Sequence, residues 1–225
     1  MCGRYADPPE ADIVDAFDVA VVVGHKEPSR NVSPTQAVWL VVEDERGKRA
    51  VTRDGAEAAR ELRLARWGLV PSWAKTVGAR PLINARAETA TVKPSFRAAA
   101  ARRRAIVPAT GYYEWASGPG GAKTPYFLHP ATGVLGFAGL YEWWRVPEEI
   151  VLPGVTDDWL CSLAILTRPA MDAIGQLHER MPVVVPVDRV GEWLDPALTE
   201  LGEVDALLAS LPDPVLTPRP QSPTA

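Results

Sequence analysis

The chain has 225 residues, of which 47% are hydrophobic and 23% are charged. This apolar content is typical of a folded protein and excludes an intrinsically disordered chain, which cannot offset the entropy of ordering. No run of about 18 apolar residues occurs and the N-terminus lacks the pattern of a secretory signal, so we expect a cytoplasmic protein without a membrane span. The formal net charge of −4 argues mildly against a nucleic-acid partner, although a basic groove is a local feature.

β-Branched and aromatic residues form short segments separated by Pro or Gly. They predict strands at 37–42, 105–107, 112–115, 126–129, 134–143, 160–167 and 181–186. Helical patterns occur at 10–17, 95–104 with a possible Ser cap, 170–177, 188–194 and 199–211. Because strands dominate the middle of the chain, we predict the α+β class, with a curved, barrel-like, mostly antiparallel sheet and flanking helices. Loops are predicted at 116–123 and 146–158, and the Pro-rich residues 212–225 are predicted to form a disordered tail.

Cys2 follows the initiator methionine, which is normally removed when the next residue is small, and the mature chain would then begin at Cys2. Such a residue has an amine with a pKa of about 7.7–8.0 and a thiol with a pKa of about 8.5, so we expect a usable nucleophilic fraction of each. The amine forms an imine with an aldehyde, and the thiol then closes a five-membered thiazolidine on the same carbon. Taken alone, a cysteine at position 2 is more commonly a bystander in a frayed terminus. The other cysteine, Cys161, lies in an apolar run and is predicted to be a buried structural thiol.

Six ordered segments carry a resemblance to a known family. They are Met1–Tyr5, Asn31–Thr35, Trp67–Trp73, Asn84–Thr89, Gly111–Trp115 and His178–Pro182. Through them the chain resembles the SOS-response-associated peptidase (SRAP) family from Met1 to about Leu211. The departures are Ser33, where Ala is common, and the acidic loop at 146–158, which resembles an insertion.

The resemblance implies a single SRAP domain over 1–211 that binds single-stranded DNA and single-strand/double-strand junctions. It implies that the protein senses abasic sites and shields them as a stable DNA–protein crosslink through Cys2. By position, Asn84 resembles the family's active-site Asn near the ring, Glu114 its acid/base and His178 its active-site histidine.

The residues themselves leave alternatives open for these three positions. Glu114 lies between Tyr113 and Trp115 in an apolar strand, where burial would raise its pKa toward a range useful for proton transfer, but an isolated Glu is more often on a polar strand face. His178 lies at a helix-to-strand corner and is either directed into a cleft or a core histidine. Asn84 is either a turn former or an amide donor to a developing hemiaminal oxygen. With three His in the chain, a metal site of several His is not expected, and no cofactor is predicted.

Candidate DNA contacts are arginines and two tryptophans. Arg4, Arg86, Arg97 and the run 102–104 are suited to phosphate, although a charge run is more often a solvated face. Trp67 and Trp73 flank a turn, and we expect one of them to stack on an unpaired base while the other packs in the core.

Two other function classes remain open at this point. In the first, Cys2 is the N-terminal nucleophile of an autoproteolytic thiol peptidase or hydrolase, with Asn84 as an oxyanion contact. In the second, the protein is a non-covalent single-stranded DNA-binding module, which leaves Cys2, Glu114 and His178 unexplained. For the abasic-site function we expect a monomer that associates with the nucleoid when bound to DNA.

Overall fold

The computed structural model describes residues 2–43, 50–51, 57–58, 60–117, 122–150, 158–170 and 177–221. Its strands are β1 (Tyr5–Ala6), β2 (Val21–Val23), β3 (Ala37–Glu43), β4 (Ala50–Val51), β5 (Glu57–Ala58), β6 (Arg60–Trp67), β7 (Asn84–Arg86), β8 (Arg104–Ala109), β9 (Gly111–Ser117), β10 (Lys123–His129), β11 (Leu135–Arg145), β12 (Trp159–Pro169), β13 (Arg180–Pro182) and β14 (Thr217–Pro220). Its α-helices are α1 (Glu10–Phe17), α2 (Ala87–Ala90), α3 (Arg97–Arg102), α4 (Val190–Leu194) and α5 (Leu201–Ser210), and a 3₁₀ turn at Val187–Arg189 precedes α4.

Five strands close into a barrel. β12, β11, β8, β3 and β6 pair antiparallel in that order, and β6 returns to β12 through a parallel pairing of Arg66 with Ser162 and Trp67 with Leu163. β2, β7 and β13 extend this sheet at β6 and β12. The structure is therefore a mixed α+β domain with a barrel-like sheet, which confirms the predicted fold class.

Alternate residues of the barrel strands supply two apolar clusters. Val38 and Leu40 of β3 pack in one cluster with Tyr112 and Leu128, which belong to a second sheet. Trp39 and Val41 of β3 pack in the other, beneath the helices, with Phe17, Trp193 and Leu208. Because side chains of a strand point alternately to its two faces, both faces of β3 are buried and this strand is apolar from Ala37 to Val42. Burying each Val, Leu or Ile contributes about 1.5–3 kcal/mol.

The second sheet is antiparallel and has the order β1, β9, β10, β14. Its last strand corrects a prediction, since Thr217–Pro220 lies within the segment expected to be disordered. Pro218 and Pro220 alternate with residues that keep a backbone N–H, and the N–H of Gln221 donates to the carbonyl of Pro125 at 2.9 Å. Proline is tolerated on such an edge strand because alternate N–H groups point away from the partner.

Most other differences from the sequence prediction concern short or charged elements. β6 was not predicted, because four of its eight residues are charged and its strand structure comes from pairing with three neighbours. The helix at 95–104 is shorter, since α3 begins at Arg97 and no side chain caps it. Most of the predicted helix at 170–177 and of the loop at 146–158 lies outside the described residues. No helix in the described part of the chain is long and apolar enough to cross a membrane.

Candidate active site

Cys2 lies between β7 and the second sheet and is completely buried. Its carbonyl oxygen accepts a hydrogen bond from Nδ2 of Asn84 at 2.9 Å, and its thiol accepts one from the backbone N–H of Arg4. Burial raises the pKa of the Cys2 thiol far above its ordinary value, and the neighbouring Glu114 carboxylate raises it further. The expectation of a usable thiolate fraction is therefore wrong for this environment, because desolvation favours the neutral thiol.

Glu114 lies on the face of β9 that is directed toward Cys2. Its side chain is 3% exposed, and burial raises its pKa, with a smaller opposing effect from His178. The predicted direction of this shift is confirmed. The structure thus brings a buried carboxyl group close to both Cys2 and His178, as the sequence prediction required.

His178 lies just before β13, and its orientation is fixed by the backbone. Its Nδ1 accepts a hydrogen bond from the N–H of Arg180 at 3.0 Å, so in the neutral ring the proton is assigned to Nε2. The Arg180 guanidinium donates to both carboxylate oxygens of Glu88, at 2.6 and 2.9 Å, and to the carbonyl oxygen of Thr167. The same hydrogen bonds hold the pKa of Glu88 below its usual range. This bidentate pair ties the segment of His178 to the segment of Asn84.

The sequence did not identify Tyr5 and Tyr112 as neighbours of Cys2. Both are completely buried, and burial raises the pKa of each well above its ordinary value. The Tyr112 hydroxyl has no hydrogen-bond partner within the described residues. Tyr112 could have been found from sequence, because residues two apart on a strand share a face and Glu114 is two positions later.

The arginines predicted to contact phosphate do not all lie near Cys2. Arg86 is exposed at the end of β7, and Nη1 of Arg4 donates to Oδ1 of Asn31 at 2.8 Å. Arg97, in contrast, lines a groove between α3 and α5 that also contains Glu200, apart from the Cys2 cluster. The structure therefore does not support grouping Arg97 with the site.

Two of the three arginines in the run 102–104 have a structural role, and the third, Arg102, is exposed. Arg103 pairs with Glu142 at 2.8 Å. Arg104 is buried and donates to the carbonyl oxygens of Ala100, Ala101, Trp193 and Asp195. Neither side chain is available to phosphate in this arrangement, because Arg103 is paired with a carboxylate and Arg104 is occupied by backbone carbonyl oxygens.

The two tryptophans have opposite environments. Trp67 is completely buried, and its indole N–H donates to the carbonyl oxygen of Ile83 at 2.9 Å. Its proposed role in base stacking is therefore corrected to core packing. Trp73 is 66% exposed and remains the candidate for stacking.

Comparison with known proteins identifies the family of this chain. The family model described as SOS response associated peptidase (SRAP) matches residues 1–223. The chain belongs to the SRAP family. Among SRAP relatives, the abasic site processing protein YoqW of Bacillus subtilis is 35% identical over 92% of this chain and 86% of its own. The abasic site processing protein HMCES of Gallus gallus is 29% identical over 76% of this chain and 55% of its own.

Solved structures show the same fold. A protein from Bordetella bronchiseptica superposes with a TM-score of 0.77 over 98% of this chain and all of its own, at 23% identity. A phage-related protein from the same organism has a TM-score of 0.69 and 29% identity over 98% of this chain and 94% of its own. Within the described residues, no group of three or more His, Cys, Asp or Glu is arranged to hold a metal ion.

Proposed function

We propose that this SRAP protein processes abasic sites in single-stranded DNA and at strand junctions by forming a thiazolidine crosslink through Cys2. The observation that carries the proposal is the Asn84 amide, which holds the Cys2 carbonyl beside the buried carboxyl of Glu114. This arrangement fixes the residue that becomes the N-terminus when Met1 is removed. The names of the relatives, abasic site processing proteins, support the same substrate class.

The first stage joins the Cys2 amine to the sugar aldehyde. We propose that His178 helps to open the closed sugar, and that the amine nitrogen then attacks the aldehyde carbon to give a carbinolamine. Glu114, whose raised pKa favours the protonated acid, donates its proton to the carbinolamine hydroxyl, which leaves as water. The products of this stage are an iminium ion and the Glu114 carboxylate.

The second stage closes the ring. The Cys2 thiol is held neutral by burial, so it needs a base, and the newly formed Glu114 carboxylate accepts the thiol proton. The sulfur then attacks the iminium carbon, and the electron pair of the C=N bond returns to nitrogen. The net reaction combines the aldehyde and the aminothiol with loss of one water, and Glu114 recovers its proton. One carboxyl group therefore serves as acid and then as base.

Binding of the strand is proposed to depend on exposed basic and aromatic groups around this buried centre. Arg86 follows Asn84 by two residues on β7, and its exposed guanidinium is suited to a phosphate next to the lesion. Trp73 offers an exposed ring for an unpaired base. These local groups account for DNA binding by an acidic chain, since phosphate binding responds to the local potential.

The proposal is tested by incubating the full-length protein with a single-stranded oligonucleotide that carries one abasic site and running a heated denaturing gel. The intact mass first establishes that Met1 is absent. The wild type and Cys161→Ser are expected to give a heat-stable shifted band, because Cys161 is buried in β12 and plays no part. Cys2→Ser should give an imine that borohydride traps, but no heat-stable band. A durable crosslink from Cys2→Ser would overturn the thiazolidine mechanism.

The same gel separates the two other function classes. A thiol hydrolase or a non-covalent binding module would give no covalent band with the wild type.

A further inference from the structure

A pocket of about 440 Å³ lies on the outer face of the second sheet. The pairs Tyr113 with Phe127 and Phe127 with Arg219 place aromatic and basic side chains of β9, β10 and β14 next to one another. Because neighbouring residues of a strand point to opposite faces, Tyr112 and Glu114 are directed toward Cys2, while Tyr113 and Trp115 line this pocket. The pocket is thus separate from the proposed catalytic centre.

All the charged residues that line this pocket are basic. Arg4, Arg30 and Arg219 line it, and no acidic residue does. None of the three forms an ion pair with any residue that the structure describes, whereas Arg60, Arg63, Arg103, Arg168, Arg180 and Arg189 do. In a chain of net charge −4, three arginines without carboxylate partners around one pocket provide a local site for an anion.

The aromatic side chains determine which anion fits. Tyr113 and Phe127 have ring centroids 4.9 Å apart, and the Tyr113 hydroxyl is fixed by donation to the carbonyl of Arg30 at 2.9 Å. Trp115 is 36% exposed at the same pocket. Aromatic faces between basic side chains are the combination that binds single-stranded nucleic acid, because bases stack while phosphates pair with guanidinium groups.

We infer that this pocket binds nucleotides of the single strand that flanks the abasic site, an inference that rests on the proposed function. The connection to the site runs through β1, since the N–H of Arg4 donates to the Cys2 thiol while the Arg4 side chain lines the pocket. Two residues of extended chain span at most about 7 Å, so a strand attached at Cys2 needs little length to reach the pocket. The outer face then aligns the strand while the inner face performs the chemistry.

The test measures two quantities on the full-length protein. Binding to an undamaged 15-nucleotide single strand is followed by fluorescence anisotropy at several salt concentrations. Trp115→Ala should weaken binding by about 5- to 150-fold, the range for loss of one base stack. Arg219→Gln should weaken binding and reduce the slope of log K against log salt by about 0.7, which corresponds to one phosphate of a single strand.

Two variants serve as matched controls. Trp159→Ala removes a tryptophan that is 51% exposed on β12, and Arg145→Gln removes an exposed arginine at the end of β11, and neither residue lines the pocket. Both should bind like the wild type. Thermal melting of all four variants confirms that they are folded, and Arg219→Gln provides a surface change if Trp115→Ala is unstable.

Crosslinking separates failure of this inference from failure of the proposed function. With a 15-nucleotide substrate below saturation, Trp115→Ala and Arg219→Gln should crosslink more slowly than the wild type, and with 2-deoxyribose, which carries the aldehyde but no flanking nucleotide, the rates should match. If both variants bind and crosslink the 15-nucleotide strand as the wild type does, the pocket does not bind the strand, and the proposed crosslinking function is unaffected. A wild type that binds strands through Trp115 but never crosslinks would overturn the proposed function alone. Binding of thymidine monophosphate as tightly as the 15-nucleotide strand would assign the pocket to a free nucleotide and overturn the strand inference.

Discussion

The two faces of the second sheet are made from alternating residues of the same strands, yet one face favours uncharged groups and the other carries exposed charges. On the inner face Glu114 and Cys2 are buried, and burial raises the pKa of each so that the uncharged forms are favoured. On the outer face Arg30 and Arg219 are exposed to solvent. Neighbouring residues of one strand therefore lie in two environments: a buried one suited to proton transfer, and a solvent-exposed one suited to binding phosphate. Changes on the inner face should alter rates, and changes on the outer face should alter affinity and its salt dependence.

The largest effect on the reaction short of removing Cys2 is expected for Glu114→Gln. The amide keeps the shape of the side chain but cannot transfer the proton, so single-turnover crosslinking should slow by about 10²- to 10⁴-fold. Affinity for undamaged single strands should not change, because the outer face is intact. Equal rates for the variant and the wild type between pH 5 and 8 would remove Glu114 from the mechanism and break the distinction between the faces.

A second effect concerns the buried carboxylate at the end of β1. Asp7 is 1% exposed at its side chain and pairs with Lys26. Burial raises the pKa of Asp7, and Lys26 partly offsets the rise. Lys26→Met leaves the carboxylate buried without that partner, which should lower the free energy of unfolding by about 3–5 kcal/mol.

The pH dependence sharpens this prediction. Because the folded pKa of Asp7 would rise further in Lys26→Met, the loss of stability should be small below pH 3.8 and grow as the pH rises. Urea titrations of the variant and of the exposed Lys93→Met provide the measurement. A loss that is equal for the two lysines, or independent of pH, would contradict a structural role for the pair.

Much of the fold could be predicted because its strands carry a local signal. Helix α1 agrees with the predicted 10–17, and β3 exceeds the predicted 37–42 by one residue. Among the elements that were missed, two show how tertiary pairing determines a strand. β6 has charged residues that no isolated strand pattern favours, and β14 contains two prolines that only an edge position allows. Closure of the barrel depends on a pairing across almost 100 residues of chain, which no local pattern reveals.

The proximity of the candidate residues to Cys2 was predictable, whereas the burial of Cys2 was not. Asn84 and Glu114 lie beside Cys2 as expected from the family segments. The state of the thiol was not predicted, because the ordinary pKa of cysteine applies to an exposed group and the burial of Cys2 comes from residues far apart in sequence. The choice between Trp67 and Trp73 likewise required accessible surface, which the sequence does not contain.

A smaller effect on affinity is expected at Trp73. If its exposed ring stacks on one unpaired base, Trp73→Ala should weaken single-strand binding by about 1–3 kcal/mol. The slope against salt should stay the same, since an indole releases no counterions. Trp159→Ala, also exposed, is the matched control. An unchanged affinity for Trp73→Ala would leave Trp115 as the exposed aromatic candidate at the pocket.

The smallest effect is on stability, and it has the opposite sign to the effect on rate. Because the pKa of Glu114 is raised above 4.5 in the folded state, the folded protein holds this proton more tightly than the unfolded chain does. The contribution of Glu114 to stability is therefore fully present below pH 4.5 and is lost as the pH rises through the folded pKa.

Gln at position 114 carries no charge at any pH, so the variant should gain on the order of 1 kcal/mol at pH 7, or about 2–4 °C in melting temperature. At pH 4 the gain should vanish, and Glu203→Gln, on the exposed face of α5, is the matched control. Melting curves of the two variants and the wild type at both pH values measure the difference. A variant that is less stable than the wild type at pH 7 would mean that the Glu114 carboxylate is stabilised by its partners, and that the inner face favours charge after all.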